Sequence, residues 1–230
     1  MKNLIISIVL VLGICITGFA QQVAGHIEKF EGKVILYPSG SVRGIAAKNN
    51  LEFKVKDSIR AFQKSTAFIK FIDQSKIVLN ENSILYVKDI QNLNLKNGKV
   101  VFEIQKQDDK QGIKIATKTA IIGVKGTKFL INVNKDEVDV ILKEGEITVS
   151  AVKGEFKRYL QKEEEDFNKF VQDTKQDYEE YKKKVQEEFV EFVKEFTMKD
   201  EMAISIKGKE VRDIKDTKEF DDEFELLNKF

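Results

Sequence analysis

The sequence predicts a mainly β fold, of a β-helical, solenoid-like or sandwich type, followed by a long amphipathic helix and a small hairpin and helix tail. From Val23 to Val152, apolar residues alternate with polar ones, and Gly, Asn or Asp interrupts the pattern at short intervals. After Gly154 the apolar spacing changes to a mean near 3.6 residues, which is typical of a helix. A chain that is 42% apolar and 33% charged with a single Pro is globular.

Residues 1–20 have the pattern of a secretory signal peptide. A short positive start precedes an apolar run, and the small residues Gly18 and Ala20 predict cleavage after Ala20. The run is shorter than the roughly 20 residues of a membrane-spanning helix, and charged residues interrupt every later apolar stretch. We therefore expect an extracytoplasmic protein, periplasmic or secreted, without a transmembrane span after cleavage. Lipidation at Cys15 is the weaker alternative, because Ile14 stands where that signal has a small residue.

Residues 21–153 are predicted to form one all-β domain of short strands and tight turns. The clearest unit is a hairpin whose strands, 129–133 and 138–142, are joined by the polar residues 134–137. No helical pattern lies between the strand patterns, which excludes a doubly wound α/β fold.

Residues 154–198 are predicted to form one long helix with an aromatic stripe. A stripe of that size is too apolar to stay bare, so it docks on the β domain, binds a partner or joins copies into a homo-oligomer. The residues of this interaction face are Phe167, Tyr178, Tyr181, Phe189, Phe192 and Phe196. Residues 199–230 are predicted to form a β-hairpin and a last helix that begins near Asp216 and carries Phe220, Phe224 and Leu227.

Charge is balanced overall but segregated along the chain. Residues 21–154 carry a basic excess of seven, and residues 155–230 carry an acidic excess of seven. The basic excess is spread over a long segment, so nucleic acid is not an expected partner. It leaves open a second function, binding to an anionic polymer of the cell wall or surface.

The residues that most enzyme and metal sites need are scarce. His26 is the only histidine, and no cysteine follows Ala20, so we expect no catalytic residue, no metal site and no cofactor. Carboxylates at Asp108 and Asp109, and in the loop with Asn134, Asp136 and Asp139, read as solvated turns without the ligand spacing of a calcium loop. A glycan hydrolase with two carboxylates as acid and base is the third and weakest alternative.

The most specific motif is Ile115-Ala116-Thr117-Lys118-Thr119-Ala120-Ile121-Ile122-Gly123-Val124-Lys125-Gly126-Thr127-Lys128-Phe129-Leu130-Ile131. It resembles the Thr-Pro…Gly-Val-Arg-Gly-Thr-x-Phe-x-Val signature of FecR-type domains, with Lys118 in place of Pro and Lys125 in place of Arg. The signature residues are Thr117, Gly123, Gly126, Thr127, Phe129 and Gly145. We assign them a structural role, and we expect Gly123 and Gly126 to lie in turns that only glycine adopts comfortably.

The resemblance covers about 125 of 230 residues and implies an all-β domain without catalytic residues, used for contacts between proteins at the cell envelope. Sensor regulators of this family carry a cytoplasmic anti-sigma segment and a membrane span before the domain, and a signal peptide replaces both here. The sequence therefore predicts a non-enzymatic envelope protein that serves as an interaction, signalling or scaffold module, with one or more envelope proteins as partners.

Overall fold

The computed structural model of the chain describes residues 21–106, 112–159 and 190–230. The predicted signal peptide, with its cleavage site and Cys15, lies outside these residues. Within these residues, nineteen strands form two layers that we call the front sheet and the back sheet, and the long strand β9 (Asn92–Glu103) belongs to both. The chain is mainly β, as the alternating pattern predicts.

The front sheet has the strand order β4-β1-β6-β7-β9-β12-β13-β18-β19-β15-β16. Every neighbouring pair is antiparallel except β15 and β19. Its strands other than β9 are β1 (Val23–Glu31), β4 (Leu51–Lys54), β6 (Thr66–Phe71), β7 (Lys76–Leu79), β12 (Lys128–Val133), β13 (Glu137–Glu144), β15 (Phe156–Tyr159), β16 (Val190–Val193), β18 (Ala203–Lys207) and β19 (Glu210–Asp213).

The back sheet has the strand order β3-β2-β5-β8-β9-β10-β11-β14-β17, and only β9 and β10 run parallel. Its strands other than β9 are β2 (Val34–Tyr37), β3 (Ile45–Ala46), β5 (Ser58–Ala61), β8 (Ile84–Val87), β10 (Ile113–Ala116), β11 (Ala120–Val124), β14 (Ile147–Ala151) and β17 (Glu195–Met198).

The main hydrophobic core lies between the two sheets. Alternate residues of most strands point into it, as the two-residue period of a β-strand requires. The rings of Phe102 and Phe129 stack in parallel with centroids 4.8 Å apart. Across the sheets, Phe156 of β15 meets Phe196 of β17 edge to face at 6.0 Å. Apolar residues from both sheets thus close one continuous core.

The predicted hairpin is confirmed residue by residue. Strands β12 and β13 pair Phe129 with Leu142, Ile131 with Val140 and Val133 with Val138. The Asn134 amide donates to the carbonyl of Glu137 at 2.9 Å and closes the turn.

The long helix predicted for residues 154–198 is wrong at both ends, because residues 156–159, 190–193 and 195–198 are strands. Strands β15 and β16 pair Phe156 with Val193 and Tyr159 with Val190. Two buried side chains at the ends of this range, Phe156 and Phe196, fill the space between the sheets, and this tertiary packing overrides the helical period. Residues 160–189 of the predicted helix lie outside the described residues.

The C-terminal tail contains the predicted hairpin, but its α-helix is shorter than predicted, because Phe220 and Leu227 lie in 3-10 turns on either side of it. Strands β18 and β19 make the hairpin, and α1 (Asp221–Glu225) lies between two 3-10 turns at Lys218–Phe220 and Leu226–Lys229. The Asp216 carboxylate accepts a hydrogen bond from the Lys218 amide at 3.1 Å. We call residues 218–230 the C-terminal segment. Of the helices in the described part of the chain, none has the length and hydrophobicity that a bilayer crossing requires.

Candidate functional site

Three signature residues meet where two turns of the β structure touch. Gly126 lies between β11 and β12 with φ +70°, and Gly145 lies between β13 and β14 with φ +99°. A β-carbon on Gly126 would lie 2.7 Å from the Lys106 Cβ, and one on Gly145 would lie 2.7 Å from the Thr127 Cγ2. Backbone conformation and close packing therefore both favour glycine at these two positions.

Two further signature residues stabilise the same region. The Thr117 hydroxyl donates to the Ala120 carbonyl at 2.9 Å and accepts the Ala120 amide at 3.1 Å, which closes the turn between β10 and β11. Phe129 is fully buried in the core against Phe102. Neither side chain is exposed enough to bind a partner.

Gly123 corrects the prediction that both signature glycines lie in turns. It lies inside β11, paired with Lys114 on one side and Thr148 on the other. A β-carbon there would find no atom nearer than 3.9 Å, in the Thr148 residue, so internal packing does not require a glycine. Its absent side chain leaves the backbone of the back sheet open on the outer face, where another chain can approach closely.

A row of directly paired residues crosses the outer face of the back sheet. It runs through Tyr37, Ser58, Tyr86, Asn94, Ala116, Ile121, Ser150 and Glu195. All but the exposed Glu195 are half-buried, and we call this row the back-face row. The Ser150 hydroxyl donates to the Glu195 carboxylate at 2.6 Å, and the Lys96 ammonium lies 5.7 Å from the centre of the Tyr86 ring. The row combines tyrosine rings, small polar groups and two aliphatic side chains.

Exposed apolar side chains lie at the β3 end of this face. Val42 is 96% exposed and Ile45 is 47% exposed, so both are available to a partner. Between them, Gly44 lies so close to strand β2 that a β-carbon on it would be 2.2 Å from the Ile35 side chain and 3.0 Å from the Tyr37 ring. The loop that carries Val42 is therefore packed against the tyrosine end of the back-face row.

The outer face of the front sheet is built differently. One apolar residue from each of six neighbouring strands forms a directly paired row, which we call the front-face row. Its members are Phe68, Val78, Val101, Leu130, Ile141 and Ala203. The C-terminal segment covers them with Phe220, Phe224, Leu227 and Phe230.

The predicted interaction face of the long helix is only partly described. Phe196 is buried in the core and is not available to a partner. Phe192 is 67% exposed on the edge strand β16. Phe167, Tyr178, Tyr181 and Phe189 lie outside the described residues.

The Asp139 and Glu137 carboxylates are held by side chains of neighbouring strands. In the predicted loop cluster, Asp139 accepts hydrogen bonds from Asn132 at 3.0 Å and from Ser205 at 2.8 Å, and Ser205 also lies 2.5 Å from Glu137. No group of three or more His, Cys, Asp or Glu side chains suited to a metal ion occurs within residues 21–106, 112–159 and 190–230. Asp108 and Asp109 lie outside these ranges. His26 lies half-buried in β1, opposite Glu52 and Lys70.

One charged cluster lies where β15, β16 and β19 meet. Arg158 donates to Glu191 at 3.0 Å and stacks over the Phe196 ring at 4.6 Å. Burial raises the pKa of the Asp213 carboxyl, and the nearby Arg158 charge offsets only part of that shift. The Asp213 Oδ1 and the Arg158 Nε are buried without a hydrogen-bond partner in the described structure, so we expect this cluster to reduce stability at neutral pH.

Comparison with known proteins gives a family match and similar crystal structures. Residues 57–148 match the family model described as FecR protein. Two of these crystal structures, both of a candidate anti-sigma factor from Parabacteroides distasonis, have a TM-score of 0.46 and identities of 10% and 11%. Each comparison covers 69% of this chain and 59% of that chain, so this chain spans only about 59% of the length of those proteins. No curated protein matches the chain.

Proposed function

We propose that this chain, which carries a FecR-type domain at residues 57–148, is a non-enzymatic extracytoplasmic module for protein–protein contacts in envelope signalling or scaffolding. The observation that carries the proposal is the outer face of the back sheet, which no segment within residues 21–106, 112–159 and 190–230 covers in the way that the C-terminal segment covers the front-face row. Most of the strands of that face belong to the matched region, and Tyr86 and Gly123 lie on two of them. The predicted signal peptide supports the location.

The back face has the composition of an interface. Tyrosine is enriched at protein interfaces because its ring buries much area while its hydroxyl keeps a polar contact. Tyr37 and Tyr86 lie on the same row with one residue between them, and the exposed Val42 and Ile45 extend the apolar area beyond the edge of the sheet. Bare backbone at Gly123 adds a place where a partner can lie close to the sheet.

The strands below this face are firmly held. Ile59, Leu85 and Ile122 alternate with the outward residues and are fully buried in the core. A partner would therefore meet a surface that is already ordered, which lowers the entropic cost of binding. We propose that the domain acts as a rigid platform.

The two alternatives have less support. A hydrolase needs a cleft that holds two carboxylates about 5 to 9.5 Å apart, whereas Glu137 and Asp139 share the Ser205 hydroxyl on a strand surface. A binder of anionic polymer needs concentrated positive charge, and the outer face of the back sheet mixes Lys114 and Lys125 with Glu146 and Glu195.

The test is site-specific photo-crosslinking in cells that express the native protein. A photoreactive residue replaces Tyr86 or Val42 on the back face, and the control replaces Lys207, which is exposed on the hairpin of the front sheet. We expect one discrete protein adduct from both back-face positions and none from Lys207.

Equal labelling from all three positions, or no adduct from the back face, would contradict the proposal. Salt-sensitive retention on purified envelope polymer without a protein adduct would favour the polymer-binding alternative.

A further inference from the structure

The C-terminal segment lies on the front sheet in the way that an amphipathic helix lies in a groove of its receptor. Its apolar residues follow helical spacing, i, i+4, i+7 and i+10, through Phe220, Phe224, Leu227 and Phe230. Phe230 meets Phe68 edge to face, with ring centroids 5.5 Å apart. The front-face row is thus a binding surface with an occupant of defined chemistry.

Charge complementarity indicates the chemistry of that occupant. Two lysines of the front sheet, Lys99 and Lys143, form ion pairs with Glu223 and Asp221, the second at 3.0 Å. The same lysines lie over the Phe220 and Phe224 rings, at 5.3 Å and 5.9 Å. The surface therefore fits an acidic helix with regularly spaced aromatic residues.

The C-terminal segment depends on this surface for its order. Isolated helices shorter than about 12 residues are marginal in water, and α1 is only five residues long, between two 3-10 turns. No side chain of Thr217 or Phe220 caps a helical turn. One oxygen of Glu223 is buried without a partner in the described structure, so the fit is imperfect.

The connection to the β structure is short and well defined. The Ile214 amide donates to the Ala203 carbonyl at 2.8 Å, and that bond fixes the end of β19. Residues 215–217 then lead directly into the segment. Exchange of an element about a short hinge leaves every contact of that element intact, and it is a low-cost route to a dimer.

We propose that the front-face row is a self-association site, in which the C-terminal segment of a second copy of this chain replaces the chain's own segment. We identify the partner as a second copy of the chain because that copy carries this acidic, aromatic segment. The monomer and the exchanged dimer share these contacts and differ in the hinge. Their ratio depends on protein concentration because the dimer contains two chains. This inference does not depend on the back-face interaction.

The test uses two full-length variants with opposite charge changes. One carries Lys99→Glu and Lys143→Glu, and the other carries Asp221→Lys and Glu223→Lys. In either variant alone, the front sheet and the C-terminal segment carry charges of the same sign and repel each other. In an exchanged heterodimer, each of the two front sheets faces a segment of opposite charge, so all four ion pairs are restored. We expect an equimolar mixture to contain several-fold more dimer by analytical ultracentrifugation than either variant alone.

Two controls separate exchange from general attraction. A single chain with all four substitutions restores the pairs internally and should behave like the unmodified protein. A control variant with Lys207→Glu and Lys209→Glu carries the same change of net charge as Lys99→Glu with Lys143→Glu, but away from the front-face row. Its mixture with the Asp221→Lys, Glu223→Lys variant should stay monomeric. Equal dimer in the two mixtures, or only monomer in both, would overturn the proposal.

A second measurement leaves these charges untouched. Copies with Phe68→Cys are mixed with copies carrying Phe230→Cys, both with Cys15→Ser, and a short thiol crosslinker is added. Exchange predicts a covalent heterodimer, because it brings residue 230 of one copy against residue 68 of the other. A control mixture with Val42→Cys in place of Phe68→Cys measures the crosslinking that comes from random collision. A yield no higher than that of the Val42→Cys control would equally overturn the proposal.

Discussion

Within the described residues, the two outer faces of the molecule differ in what covers them. The sequences of the strands reflect this difference. On the front sheet, strand β12 buries three consecutive residues, Phe129, Leu130 and Ile131, because the C-terminal segment covers the side that faces away from the core. On the back sheet, strand β11 alternates buried and half-buried residues from Ala120 to Val124. A sheet face that is covered allows an apolar residue at every position, and an open face does not.

The largest expected effect comes from removing the cover. Deletion of residues 216–230 exposes the front-face row and removes three buried side chains, Phe220, Phe224 and Leu227. Each buried apolar side chain contributes about 1.5–3 kcal/mol, so we expect a loss on the order of 5 kcal/mol, comparable with the whole stability of many domains. Thermal unfolding and dye binding to exposed apolar surface measure the effect. Substitution of the exposed Phe192 by Ser is the control and should change little. An unchanged melting temperature after deletion would show that the segment is not a structural cover.

A matched pair of point substitutions compares the two faces directly. Leu130→Asn places an amide under the C-terminal segment at a fully buried position, and Ile121→Asn places one on the half-buried back face. We expect a loss of about 3 kcal/mol for Leu130→Asn and less than about 1 kcal/mol for Ile121→Asn. Denaturant unfolding measures both values. Equal losses would mean that the back face is covered as well.

The signature glycines provide a second matched pair with a smaller effect. Gly126→Ala adds a β-carbon at positive φ and 2.7 Å from Lys106, whereas Gly123→Ala adds one in open space. We expect a loss of about 1–3 kcal/mol for the first and a change within about 0.5 kcal/mol for the second. If Gly123→Ala leaves stability unchanged but weakens crosslinking from Tyr86, the open backbone is part of the interface.

Much of the β architecture could be predicted from the sequence. The alternating pattern and the signature gave the β class, and the hairpin around residues 134–137 was predicted with its facing pairs because local spacing determines them. The apolar triplets at 67–69, 77–79, 100–102, 129–131 and 140–142 were a signal for the covered front face, since a strand with one open face shows alternation.

Two features could not be predicted from local sequence, because they depend on contacts with residues that are distant along the chain. Strands β15, β16 and β17 carry Phe and Val with a spacing that also fits a helix, and their state is decided by pairing with β19 and β14. Gly123 and Gly126 are only three residues apart in one motif, yet one is inside a strand and the other in a turn. Sequence alone does not distinguish them, because the difference lies in which backbones approach each residue.

The smallest expected effect concerns the charged cluster where β15, β16 and β19 meet at the end of the front sheet. Because burial raises the pKa of Asp213, the folded protein holds a proton there more tightly than the unfolded chain does. The ionised carboxylate therefore lowers stability at every pH above its folded pKa, and this cost disappears as the pH falls below the unfolded value near 3.8. Asp213→Asn removes the charge and keeps the shape, so we expect a modestly higher melting temperature at pH 7.

The same variant should show no gain at a pH of about 3, where the wild-type carboxyl is itself neutral. Thermal melts of both proteins across this range measure the difference, which should grow as the pH rises. A lower melting temperature for the variant at pH 7 would mean that the charge of Asp213 stabilises Arg158 by more than its burial costs. In that case the cluster would be an ion-pair anchor for β15 and β19, and the end of the front sheet would be held by charge where the front-face row is held by apolar contact.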